Sequence, residues 1–201
     1  MQTQAISNIQ KIQLPLVIKI VENEEEKMKA MLVRAIVYMH EQSCPYQEEF
    51  DLNDFSATQI IGLIDGEPVL TARIRYFDGF AKIERLAIRN EYRGRGYGRK
   101  LISYLLSICR QKGFTRFYLH AQERLQSLYE SYGFKVVGAK FGFSDHGYIE
   151  MVLVDAGLGK MPIHHIGCSP MLLNRPENNM NEYGPLERLT DDSSTQIRLS
   201  A

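Results

Sequence analysis

The chain has 201 residues, 44% of them hydrophobic and 24% charged, and its 24 Lys and Arg balance 24 Asp and Glu. Zero formal charge excludes a strongly basic nucleic-acid binder held mainly by phosphate contacts, and no apolar run approaches the ~18 residues that span a bilayer. The length suits one domain with an appendage, large enough to bury a core without staples.

Residues 1–15 read as a polar leader, without the basic start and apolar stretch of a secretory signal. PLVIKIVE (15–22) reads as a strand. Asn23 followed by Glu26 resembles a capping box, and Met28, Leu32, Ala35, Ile36 and Met39 share a face of the helix it opens. Residues 41–57 read as a loop with five acids (Glu41, Glu48, Glu49, Asp51, Asp54) and no Lys or Arg. TQIIGLID and PVLTARIRY are strand-like runs split by Asp65-Gly66, a hairpin signal. AKIERLAI (81–88) is a further strand. From Gly96 to Lys112 the residues Leu101, Leu105 and Ile108 recur at helical spacing, and Gly113 stops that helix after Arg110 and Lys112. FTRFYLHA is a strand, and RLQSLYESY a short helix with Leu125, Leu128, Tyr129 and Tyr132 on one face. FKVVG and GYIEMVLVD supply two closing strands.

After Asp155 the composition shifts to Pro, Asn and Ser with little periodicity, so residues 157–201 read as a tail or wrapping arm rather than a second domain. The expected organisation is a leader (1–15), one domain (16–156) and that tail. The element order is neither a strict βα alternation nor all-β. A central mixed sheet with helices on both faces, an α/β fold of α+β character, is the economical solution. Cys44, Cys109 and Cys168 are widely spaced and odd in number, which fits a reduced, cytoplasmic setting.

The most informative stretch is LAIRNEYRGRGYGRK (86–100). A strand ends, a turn follows, and Arg93-Gly94-Arg95-Gly96-Tyr97-Gly98 opens an amphipathic helix. Alternate glycines let the backbone fold tightly and expose successive N–H groups at the positive end of the helix dipole, an anion site suited to a diphosphate. The spacing is not G-x-G-x-x-G, because position 99 is Arg, and the Gly-Lys-Ser/Thr ending of a Walker loop is missing. Residues 73–100 hold nine Lys and Arg against three acids, whereas residues 41–54 hold acids alone. That separation suggests a polyanionic cofactor meeting a cationic or amine substrate. The plainer reading is that the two segments pair with each other.

The run from Arg93 to Gly98 resembles the R/Q-x-x-G-x-G/A motif of the GNAT superfamily of N-acetyltransferases. AKIERLAI sits where that family has the strand before its pyrophosphate loop, and YLHAQERLQSLYESYGF resembles its later Tyr…Gly-Phe motif. EQSCPYQEEFDLND resembles the Glu-Gln-x-Cys-Pro-Tyr signature of the ElaA-like branch. The four segments cover about residues 16 to 155 in the family's order. One departure is Tyr148, which stands where the branch usually has a His. The tail after 156 has no counterpart.

The resemblance implies acetyl-CoA in a cleft between two splayed strands, 81–88 and 115–121. Leu86, Ala87 and Ile88 would run along the pantetheine arm, with a strand N–H near Leu86 serving the developing oxyanion. The amides of Arg93, Gly94, Arg95, Gly96, Tyr97, Gly98 and Arg99 would hold the pyrophosphate, and Gln122 would also touch the cofactor. Tyr129 is the candidate acid for the leaving thiolate, and core packing of its ring is compatible with that role. Glu84 is the candidate base, on a strand face with Leu86 and Ile88; the alternative is an ion pair with Arg73 or Arg75. Glu41, Asp51 and Asp54 are candidates to hold a cationic substrate, against the plainer reading of a solvated loop. His120, at the end of a strand beside the cleft, is a further substrate-site candidate of a residue type able to titrate near neutrality, against the plainer reading of a hydrogen-bonded histidine. His164, His165 and Cys168 fit no standard zinc spacing, so no metal is expected. The implied activity is direct transfer of an acetyl group from acetyl-CoA to a primary amine of a small molecule or peptide in a ternary complex. No nucleic-acid or membrane partner is expected, and a homodimer stays open. The rival readings are a non-catalytic CoA-binding protein that uses its tail for a partner and an acyltransferase like the acyl-homoserine-lactone synthases.

Overall fold

Alternating apolar residues build one twisted sheet, seen in a computed structural model that describes residues 15–50, 52–138, 140–143, 146–155 and 182. The strands are β1 (Val17–Ile20), β2 (Thr58–Ile64), β3 (Glu67–Phe77), β4 (Phe80–Ile88), β5 (Arg116–Gln122), β6 (Lys135–Val136), β7 (Phe141–Phe143) and β8 (His146–Val154). They follow the order β1-β2-β3-β4-β5-β8-β6, with β7 also on β8. Every pairing is antiparallel except that of β4 with β5. The β2–β3 hairpin turns through Asp65 and Gly66 at φ 53° and 75°, the paired positive φ values that a two-residue turn needs to match strand twist.

Helix α1 (Glu24–Arg34) starts at Asn23, whose side chain accepts from the Glu26 N–H at 2.9 Å. It continues as a π-helical turn over Ala35–Glu41. A one-turn helix α2 (Tyr46–Glu49) lies in the acidic loop. α3 (Tyr97–Gln111) and α4 (Gln126–Glu130) complete the set. The sheet's larger core, with Ile74, Ile83, Phe117 and Leu119, receives Leu101, Ile102 and Leu105 of α3. A smaller cluster joins Val33 and Val37 to Ala87 of β4. The mixed sheet with helices on both faces is thus the observed fold.

The local differences from expectation have local causes. The first helix runs past position 39 by widening into the π turn. β6 keeps only two of the residues in FKVVG, because the chain leaves β8 and returns as the short hairpin strand β7. The polar leader and nearly all of the 157–201 tail lie outside the described residues.

Candidate active site

The site begins with a break in the sheet. β4 and β5 pair only at Ala81↔Phe117 and Lys82↔Tyr118. Beyond that point β4 carries a bulge. Across from it, Thr71 faces Ala87 and Arg73 faces Glu84, so β4 holds one residue more than β3. Arg85 takes up the difference at φ 54°, a left-handed value unusual for a residue with a Cβ. A bulge adds local twist, and here the strands diverge into a cleft of about 410 Å³. Tyr38, Lys82, Glu84, Leu86, His120, Gln122, Arg124, Tyr129, Phe141 and Tyr148 are among its lining residues.

The bulge also corrects the expected face of Glu84. Simple alternation puts Glu84 with Leu86 and Ile88. The extra residue puts Glu84 instead on the α1 side, with Arg73 opposite, whereas Ile88 turns to α3, with its Cδ1 3.6 Å from where a Cβ on Gly98 would stand. Backbone direction follows the same register. Arg89 donates to Val69 O of β3, so Ala87 also faces β3, while Leu86 and Ile88 point their polar groups into the cleft. The Ala87 backbone groups are therefore paired toward β3 rather than turned to the cleft. The Leu86 carbonyl accepts from Tyr38 Oη at 2.8 Å and the Ile88 carbonyl from Arg93 Nε at 2.8 Å, which leaves their N–H groups as the cleft-side donors.

Beside the C-terminal end of β4 stands the N-terminus of α3. Its cap is Gly96 at φ 77°, with no side-chain cap and no acid in the first turn. Gly94 is also left-handed, at φ 74°. Gly98 is helical, so of the three glycines only Gly94 and Gly96 need their conformational freedom. The first-turn N–H groups that an α-helix leaves unbonded meet no capping side chain. The Tyr97 ring belongs to the core. Around the loop, Arg95 donates to Glu91 O at 2.9 Å and Arg99 to Ser131 Oγ at 3.2 Å.

Tyr129 lies on α4 with its ring buried edge-on against Phe134, 5.8 Å between centroids. Its hydroxyl makes no protein hydrogen bond among the described residues, and Tyr129 belongs to the cleft lining. Burial pushes this phenol up to about 12, against a smaller pull from Arg124. Gln122 bonds Gln42 Oε1 at 3.0 Å and Tyr148 Oη at 3.4 Å, and accepts from Arg124 Nε at 2.9 Å.

The acidic loop pairs with the basic segment. Glu49 and Arg34 are fully buried and bonded to each other, with Arg85 Nε 3.3 Å from the second Glu49 oxygen. Asp54 accepts from Arg34, from Arg73 at 3.1 Å and from Gln59 at 2.9 Å. Arg73 passes on to Glu84 at 3.0 Å, and Glu84 also holds Lys82 at 2.7 Å. Burial raises the Glu49 carboxyl despite Arg85 and Arg34. At Asp54 burial also acts upward, but the Arg34 and Arg73 bonds prevail and hold the carboxyl below its ordinary value. Glu41 pairs with Arg93 and accepts from the Asn90 N–H at 3.3 Å. Glu41 and Asp54 are thus each bonded to arginines and are not among the lining residues of the cleft. Glu84 does line the cleft, as a carboxylate committed to Arg73 and Lys82. Asp51 lies outside the described residues.

On the opposite wall, His120 faces Glu150 across the β5–β8 pair. Tyr118 Oη sits 2.7 Å from His120 Nε2 and donates to Glu150 Oε1. The sequence pattern overlooked Tyr38, Gln42, Arg124 and Phe141 as lining residues. The Gln of the Glu-Gln signature was the one available hint.

The sequence profile of the acetyltransferase (GNAT) family matches residues 24–134. The uncharacterized N-acetyltransferase YjcF of Bacillus subtilis (strain 168) is 33% identical over 122 residues, which are 60% of this chain and 86% of YjcF. ElaA of Escherichia coli (strain K12) is 34% identical over 108 residues, 51% of this chain and 70% of ElaA. The crystal structure of Escherichia coli ElaA superposes with a TM-score of 0.63 at 28% identity, covering 70% of this chain and 99% of that one. An acyl-CoA N-acyltransferase from Pseudomonas aeruginosa gives the same TM-score, identity and coverage.

Proposed function

The chain belongs to the GNAT acetyltransferase family, in its ElaA-like branch, and from that premise we propose that this N-acetyltransferase moves an acetyl group from acetyl-CoA to a primary amine of a small molecule or peptide, by direct attack in a ternary complex. The observation that supports the reading is the uncapped N-terminus of α3 beside the C-terminal end of β4, where Arg93 bonds the Ile88 carbonyl and Gly98 lies against the Ile88 side chain. A diphosphate suits that terminus, because unbonded N–H groups and the helix dipole both favour anions. The loop residues fit such a group: a Cβ built on Gly94 or Gly96 meets nothing within 4 Å, so the space beside the loop is open.

Bound acetyl-CoA supplies the acetyl thioester. The Leu86 N–H is the donor for negative charge growing on the carbonyl oxygen, and Tyr38 positions that strand by holding the Leu86 carbonyl. Tyr129 donates its phenolic proton to the sulfur as the C–S bond breaks, and recovers one from the nitrogen once the C–N bond has formed. A phenol pushed up to about 12 keeps its proton at neutral pH until a thiolate demands it. Glu84, bonded to Arg73 and Lys82, serves as a strut of the β4 wall rather than as the base.

Calorimetric titration with CoA tests the reading. Wild type binds, and Gly96→Val, whose β-branched side chain disfavours φ 77° and fills the loop's open side, does not. Equal affinity in the two proteins would remove the basis of the reading. Thiol release from acetyl-CoA with an amine panel then tests turnover and acceptor class together.

A further inference from the structure

The three residues on the wall facing β4 fix the position of a proton. Tyr118 and His120 are two apart on β5 and share a face, and Glu150 of β8 is the register partner of His120. An ionised carboxylate can only accept, so the single Tyr118 proton goes to Glu150. The Tyr118 oxygen, 2.7 Å from His120 Nε2, is then an acceptor toward the imidazole. Nε2 must carry the hydrogen, and in a neutral ring Nδ1 is left with a bare lone pair. Nδ1 makes no protein hydrogen bond among the described residues, and His120 lines the cleft with 36% of its side chain exposed. Phe141 and Tyr118 place their rings against the imidazole, at 5.0 and 5.2 Å between centroids, which limits its rotation.

We propose that His120 is the general base of acetyl transfer, taking the ammonium proton of the acceptor at Nδ1, and that Glu150, acting through Tyr118, is a positioning residue that fixes the tautomer. This rests on the acetyl-transfer reading above. In the step, one N–H bond of the acceptor ammonium breaks, its electron pair stays on nitrogen, and the proton joins the Nδ1 lone pair. The imidazolium then releases that proton to water at the cleft mouth. The groups facing the ring are Lys82 and Glu84 from β4, Glu150 from β8 and Tyr118 from β5. Burial and Lys82 hold the imidazole below its ordinary value, against smaller upward pulls from Glu150 and Glu84. It is therefore neutral at pH 7 and able to accept, while the two carboxylates offset the charge it acquires.

The tautomer is measurable without any acceptor. In full-length protein labelled with ¹⁵N-histidine, long-range ¹⁵N–¹H spectra should show one ring, identified by its loss in His120→Gln, as the Nε2–H form titrating below the ordinary histidine value of about 6.5. Glu150→Gln keeps an acceptor for Tyr118 but removes the anion, so the tautomer persists and the titration moves to lower pH. Lys82→Met moves it to higher pH, and Tyr118→Phe releases the tautomer. In thiol-release assays with tyramine, spermidine and a lysine-containing peptide, His120→Gln should lower kcat by roughly 10²-fold and erase the acid limb of kcat/KM, with CoA affinity unchanged. An Nδ1–H tautomer in wild type, or a His120→Gln protein that keeps the wild-type rate and acid limb, overturns the assignment and leaves the parent reading standing. Wild type that releases no thiol with any amine overturns both.

Discussion

The acidic loop and the glycine loop look like mirror images in the sequence, one a cluster of carboxylates and the other of guanidiniums, yet the fold uses them in opposite ways. The described acids that the structure places, Glu41, Glu49 and Asp54, are each bonded to arginines, and the Glu49–Arg34 pair is fully buried. In the glycine loop the arginines likewise find partners in the protein, at Ile88 O, Glu91 O and Ser131 Oγ. What stays open there is backbone, the first-turn N–H groups of α3. A cluster of charge is thus a poor guide to a ligand site by itself. Charged side chains reach one another across a fold, whereas donors at a helix start have no partner within the helix.

The largest effect should come from breaking the acidic loop's support. Arg73 is 1% exposed and joins Asp54 to Glu84. Arg73→Met removes the cation both carboxylates share and leaves Asp54 to Arg34 and Glu84 to Lys82, so the cost should lie toward the lower end of the about 3–5 kcal/mol seen when a buried pair loses one member. Urea denaturation reads this directly. A loss under about 1 kcal/mol would mean that the network is solvated and that the loop is free to serve a substrate. Gly96→Val should do the reverse: CoA binding is lost, while stability falls by roughly the 1–3 kcal/mol of a strained φ. A variant that lost both equally would show that the glycine loop, too, is structural.

Tyr129→Phe probes the cleft wall instead of either loop. It keeps the ring that packs on Phe134 and removes only the donor. Stability and CoA affinity should hold, and kcat should fall by roughly 10²-fold, the lower end of what a positioned acid contributes. Turnover at the wild-type rate with chemistry rate-limiting would return Tyr129 to the role of a core aromatic.

These contrasts also mark what could be read from the chain alone. Helix α3, the Asp65-Gly66 turn and strands β2 to β5 were legible because period and turn chemistry are local. The glycine loop was legible as a tight turn that opens a helix, although Gly98 proved helical and needed no special freedom. The bulge at Arg85 was not legible: nothing about an arginine announces φ 54°, and that one residue moved Glu84 to the other face and turned Ala87 away from the cleft. The pairing of Asp54 with Arg73 and Arg34 joins β3, α1 and a loop far apart in sequence, so only tertiary structure could choose between strut and substrate site. The Tyr118–His120–Glu150 relay depends on the β5–β8 register for the same reason.

The smallest expected effect sits where the two loops touch. Glu41 of the acidic loop pairs with Arg93 at the edge of the glycine loop, with side chains 20% and 42% exposed. An exposed pair of this kind contributes about 0–1 kcal/mol, so Glu41→Gln should leave stability nearly unchanged. Its effect on an anion should be larger than its effect on the fold. The carboxylate both neutralises Arg93 and adds a negative charge beside the proposed diphosphate site. Gln keeps an oxygen for the Asn90 N–H and removes the charge. CoA should then bind a few-fold more tightly at low ionic strength, since 1.4 kcal/mol is tenfold and this pair is worth less. Salt screens exposed charges over about 10 Å at 0.1 M and 3 Å at 1 M, so the gain should shrink as salt rises. Calorimetry across a salt series measures both. Weaker binding in Glu41→Gln at every salt concentration would show that Glu41 serves to aim Arg93, and that the acidic loop supports the phosphate site instead of opposing it.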